Sequence, residues 1–190
     1  MTVSTTLRPA RQTVDDLFRV KDKAELIGGR IIIQMPTGYL PSAVAGEIFV
    51  SLRAYAKASG RGVALGDGIG YVIGELASGR ESFSPDVSYF AGPLPANPMR
   101  FINGAPTLAV EVRSETDYGP RAELELAAER ADYFLAGTSV VWDVDPQKQA
   151  VLVYRASAPT TPTTYLRTDM ADAEPGVPGW KMPVNEIFPK

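Results

Sequence analysis

Residues 41–59 constrain the fold more than any other stretch of this chain. Val44, Ile48, Leu52 and Tyr55 recur there at helical spacing, with Pro41 or Ser42 at the start and Gly60 at the stop. An apolar stripe of this kind must be covered, and the neighbouring segments read as strands able to cover it. Ala24 to Gln34 reads as two strands joined at Gly28-Gly29, a hairpin signal. Gly70–Gly74, Asp86–Phe90 and Thr107–Arg113 are further strand candidates. A helix from about Arg121 to Ala136, stopped by Gly137, leads to a strand starting at Ser139. That strand forms a hairpin with Ala150–Arg155 through the turn Asp145-Pro-Gln-Lys. Thr13 caps a short helix with an acidic first turn. The order predicts an α/β (α+β) fold, a mixed sheet flanked by helices with an N-terminal β-hairpin. The chain of 190 residues is expected to form one domain, with residues 1–12 and about 156–178 as loop or flexible segments. The tail from Ala156 is rich in Pro, Thr and Ala, and Trp180, Ile187 and Phe188 would anchor it back.

Composition removes whole chemistries. The chain has no cysteine, which excludes disulfides, thiolate nucleophiles and iron–sulfur clusters. It has no histidine either, which excludes Ser-His-Asp triads, histidine bases and the usual zinc sites. Carboxylates, Lys, Arg, Tyr and Ser remain, and carboxylates with a hard cation such as Mg²⁺ are their natural combination. The net charge of -3 advertises no global basic field, although a local cleft can be positive on an acidic protein. No apolar run approaches a membrane span and the N-terminus lacks the apolar core of a signal peptide, so a soluble, cytoplasmic protein is the expectation. The glycines of GDGIGYVIG (66–74) do not fit a dinucleotide fingerprint, because an apolar strand follows where a helix N-terminus is needed.

The candidate site lies in the strands. Asp86 opens a strand behind Pro85, and Glu111 sits inside the next one on the face opposite Val110 and Val112. Arg113 shares that face. Adjacent strands run ~4.8 Å apart, so Asp86 and Glu111 can converge on one ion. On spacing alone a salt-bridged strand with a solvated charged face is the better fit, since carboxylates on exposed strand faces are common. Trp142 and Val144 alternate with Val141, Asp143 and Asp145, so one strand face is apolar and Trp142 reads as core.

Ser84-Pro-Asp, then Glu111-Val-Arg-Ser, then ADYFLAGT from Ala131 and VVWDVDP from Val140 resemble the Uma family of restriction-endonuclease-like proteins, within the PD-(D/E)XK nuclease superfamily. The resemblance runs from about Val14 to Phe188 and includes the ELIGGR hairpin at Glu25. It implies an endonuclease that hydrolyses DNA phosphodiester bonds with Mg²⁺ or Mn²⁺ held by Asp86 and Glu111. A homodimer is implied by analogy with nucleases that cut both strands. The alternative is a weak or inactive relative that keeps the fold as a nucleic-acid or protein-binding module. The superfamily places a lysine two residues after the second acid, where this chain has Arg113. Members of the family often carry it on the following helix, four residues before the tyrosine, where this chain has Glu129 ahead of Tyr133. Arg113 would offer fixed charge rather than act as a base, since its pKa stays above ~12. Glu47 on the first long helix, Ser114, Glu129 and Arg130 complete the candidates. Glu47 reads more readily as a solvent-facing helix charge than as the extra helical acid of some members, and Arg130 points about 100° away from Glu129.

Overall fold

A computed structural model describes residues 10–189. The short helix α1 (Val14–Leu17) carries the expected cap, with the Asp16 amide donating to the Thr13 hydroxyl and the Thr13 amide to the Asp16 carboxylate. Next comes the hairpin β1 (Ala24–Ile27) and β2 (Arg30–Ile33). Its two-residue turn needs positive φ at both positions, and Gly28 and Gly29 supply φ of +59° and +68°. Helix α2 (Tyr39–Ser59) starts two residues before Pro41, which lies within its first turn where no intrahelical N–H is needed. It ends, as expected, at a left-handed Gly60.

The strands β3 (Val63–Leu65), β4 (Tyr71–Val72), β5 (Ser82–Phe83), β6 (Val87–Phe90), β7 (Ile102–Asn103) and β8 (Leu108–Val112) follow. Helix α3 (Pro120–Leu135) then leads into β9 (Val140–Asp145) and β10 (Ala150–Arg155). The central sheet has the order β11-β10-β9-β8-β6-β3, where β11 is Ala158–Tyr165. Its one parallel pair, β8 with β9, is the pair joined by α3, as a parallel connection requires a crossover. Helix α2 covers one face: Val44, Ile48 and Leu52 pack with Val87, Val110 and Trp142. Tyr133 of α3 packs on the other face with Ala109, Val141 and Tyr154. Successive residues of β8 therefore alternate between an α2 side and an α3 side.

The tail corrects the expectation of loop from Ala156. Residues 158–165 form an eight-residue edge strand, with Val151 opposite Tyr165 and Val153 opposite Thr163. Proline is tolerated there because an edge strand bonds a neighbour on one side only, and threonine favours extended backbone. Strands β12 (Met170–Asp172) and β13 (Lys181–Pro183) and helix α4 (Val184–Ile187) complete the chain. Trp180, Ile187 and Phe188 are buried as expected, and the Trp180 ring stacks on Trp142 at 4.9 Å. Of the N-terminal segment expected as loop, residues 1–9 lie outside the described residues. Arg11 pairs with Glu75 and Glu81, and Gln12 bonds to the turn of the β1–β2 hairpin. Among the described residues, no helix is long and apolar enough to cross a membrane.

Candidate active site

The ladder between β6 and β8 is antiparallel, with Val87 opposite Val110 and Ser88 opposite Ala109. One step further along the same register, Asp86 faces Glu111. Pro85 has no N–H to prolong the ladder, and the Val112 amide donates instead to Asp86 Oδ2 at 2.9 Å. Both carboxylates point to the α3 side. There they line a cavity of about 710 Å³ together with Lys23, Glu25, Asp67 and Glu129.

Each acid has a distinct setting. Glu111 accepts a hydrogen bond from the Tyr133 hydroxyl at 2.6 Å. Burial, then the charges of Glu129 and Asp86, hold its carboxyl well above the usual range. Burial, followed by the neighbouring charge of Glu25, pushes Glu129 up to about 7, although the Arg80 guanidinium at 3.2 Å works in the opposite direction. Glu25 is buried, accepting from Arg80 at 2.5 Å and from the Ser84 amide at 2.8 Å. The cavity wall carries seven carboxylates against two cations, Lys23 and Arg113.

Those two cations differ. Lys23 precedes β1 and lays its ammonium 3.2 Å from Asp86 Oδ1 and 2.6 Å from Asp67 Oδ1. Burial opposes its charge, but Asp86 and Asp67 outweigh burial and push it up to about 12, so Lys23 is a fixed cation at neutral pH. Arg113 shares the face of Glu111, as the period of two requires. Its guanidinium, however, is engaged by Asp143 at 2.7 and 2.9 Å and by Glu123 at 2.5 and 3.2 Å. Four of its five donors are thereby used, which leaves little to offer a phosphate.

The structure brings Asp86, Glu111 and Glu129 together, keeps Arg113 and Ser114 on the wall of the same cavity, and sets Glu47 and Arg130 apart. Glu47 is exposed on α2, the helix covering the opposite face, and does not line the cavity. Arg130 pairs with Asp143 at 3.1 Å and stands over the Tyr154 ring at 4.2 Å, outside the cavity. The Ser114 amide and hydroxyl both donate to Asp117 Oδ2 at 2.7 Å, closing a turn at the cavity rim. Sequence reasoning passed over Lys23, Glu25 and Arg80. The one signal was proximity: Lys23 and Glu25 flank the start of the ELIGGR hairpin.

The family model described as "Putative restriction endonuclease" (Uma2) matches residues 13–185. The chain belongs to that family. No curated protein sequence matches the chain. Among solved structures, the chain is similar to a "putative nuclease belonging to DUF820" from Anabaena variabilis ATCC 29413, at 21% identity and a TM-score of 0.72. The match covers 93% of this chain and 97% of that one, and it establishes the fold as the one expected from the resemblance.

The donor set at Asp86 and Glu111 fits a hard divalent cation. Two oxygen donors face each other across one ladder, and a half-buried acid among other acids favours an added positive charge. Among the described residues, no cluster of three or more Asp or Glu side chains is poised to hold an ion by itself. Two carboxylates with the remaining positions open suit Mg²⁺, which keeps several waters and takes phosphate oxygens.

Proposed function

We propose that this chain is a divalent-cation-dependent nuclease that hydrolyses DNA phosphodiester bonds at the Asp86–Glu111 pair. The observation that carries the reading is the meeting, in one cavity, of two facing carboxylates and the Lys23 ammonium. Asp86 and Glu111 are the residues that would hold Mg²⁺ or Mn²⁺. When bound, such an ion supplies a more acidic water and charge stabilisation at the phosphate. Tyr133 orients Glu111 through its hydroxyl, and the Val112 amide orients Asp86. Lys23 stands where a substrate phosphate would approach Asp86, and its fixed charge would stabilise the phosphate oxygens as charge develops there. It takes this part in place of Arg113, whose donors are engaged by Asp143 and Glu123. Glu129, with its pKa near neutrality, is suited to accept a proton from an attacking water.

A second reading, a binding module with little or no turnover, draws on the acid at position 129 and the occupied guanidinium of Arg113. Plasmid nicking separates the two. Activity that requires Mg²⁺ or Mn²⁺ and disappears in Asp86→Ala, Glu111→Ala and Lys23→Gln is the expected result. Plasmid retention without cleavage, equal in all four proteins, would favour the binding module.

A further inference from the structure

Arg80 lies outside every strand, joined to the hairpin by a single bridge to Ile27, and is only 7% exposed. Its guanidinium reaches three carboxylates from two elements: Glu25 of β1 at 2.5 Å, and Glu129 and Asp132 of α3 at 3.2 and 3.1 Å. Burial alone would lower its pKa, but Glu25 and Glu129 outweigh burial, so the charge is permanent. Two further connections run from Arg80 towards the metal-site acids. Glu25 accepts the Ser84 amide, and Ser84 precedes the Pro85-Asp86 corner. The guanidinium also sits 5.0 Å from the Phe83 ring, which stacks at 4.0 Å on Tyr133, the donor to Glu111.

We propose that Arg80 is the positioning residue of this cavity, holding Glu129 directly, Asp86 through Glu25 and Ser84, and Glu111 through Phe83 and Tyr133. The assignment rests on the nuclease reading, and it also accounts for Glu129 in that reading. An acid at this helical position is held because a buried arginine faces it, and a lysine there would meet the guanidinium as a like charge. The fork matters as well as the charge, since a planar guanidinium can serve three carboxylates where an ammonium cannot keep the same geometry. Partners that orient metal-holding carboxylates commonly control affinity without touching the ion.

The test compares Arg80→Lys with Val153→Ala, a core truncation on β10 away from the cavity. Both are made in the full chain and matched for thermal midpoint. Calorimetric titration with Mn²⁺ should show Arg80→Lys weakened by ~10–100-fold, the usual effect of losing such an orienting partner, with Val153→Ala unchanged. In the metal-free protein, amide exchange at Ser84 should accelerate in Arg80→Lys and stay as wild type in Val153→Ala. Unchanged exchange at Ser84 overturns the proposal. So does faster exchange with unaltered Mn²⁺ affinity, because Arg80 would then brace the backbone alone. If the wild type binds no Mn²⁺, the metal reading fails by itself, and the exchange measurement then decides the role of Arg80.

Discussion

Glu111 and Asp143 are register partners on adjacent parallel strands and project to the same side of the sheet, yet their surroundings are opposite. Asp143 is matched on both oxygens by Arg113 and Arg130, within a cluster that Glu123 completes. Glu111 has a tyrosine hydroxyl on one oxygen, other acids around it and, as the cavity's cation on that side, Lys23, which is paired with Asp86 and Asp67 rather than with Glu111. A carboxylate buried with its counter-charges is part of the scaffold, since removing either partner strands the other. A half-buried carboxylate among its own kind is costly to ionise, and a cation from solution lowers that cost. One row across two strands thus contains both a brace and a candidate site.

The comparison can be broken from either end. The largest effect is expected at Arg113. Arg113→Ala should cost ~3–5 kcal/mol in urea denaturation, the range for breaking a buried pair, because the buried Asp143 keeps its charge with Arg130 alone and Glu123 loses its partner. Lys23→Gln should lower the urea midpoint far less than Arg113→Ala, since its partners Asp67 and Asp86 are more exposed than Asp143, while abolishing nicking. The reverse pattern, a stable Arg113→Ala that no longer cuts and an active Lys23→Gln, would transfer the phosphate role back to Arg113. Glu111→Gln should raise the urea midpoint of the metal-free protein at pH 8, since it removes a charge held among acids, and should abolish Mn²⁺ binding. A lower midpoint would place Glu111 with the braces.

A third effect is a slope with pH. The Glu129 carboxyl in the folded protein holds its proton up to about 7, against 4.5 ordinarily. The stability contributed by that bound proton is fully present below the lower value and is lost as pH rises through the higher one. The metal-free thermal midpoint should therefore fall between pH 5 and pH 8. Glu129→Gln should flatten the decline, and saturating Mg²⁺ should oppose it. A midpoint that rises over this window would contradict the charge imbalance. The smallest effect is expected at Glu47, where replacement by Gln should alter neither nicking nor the thermal midpoint, because the side chain is exposed on the other face of the sheet.

Asp86 and Glu111 were legible because each needs only a strand, a period of two and one neighbouring strand. The face shared by Glu111 and Arg113 followed from the same rule. The neutralisation of Arg113 did not, because it depends on the parallel register that sets Asp143 beside Glu111 and on α3 returning Glu123 to the Arg113 guanidinium. Lys23 and Arg80 come from irregular segments with no periodicity to place them, and only tertiary packing carries them to the cavity. Strand β11 was hidden by its prolines, which weigh against a central strand but not against an edge.

The most direct measurement is anomalous diffraction from crystals of the full chain soaked in Mn²⁺. The account predicts a Mn²⁺ peak between the carboxylates of Asp86 and Glu111, absent from Asp86→Asn crystals, with Arg113 still bound to Asp143. A peak at other carboxylates, or none at saturating Mn²⁺, would contradict it.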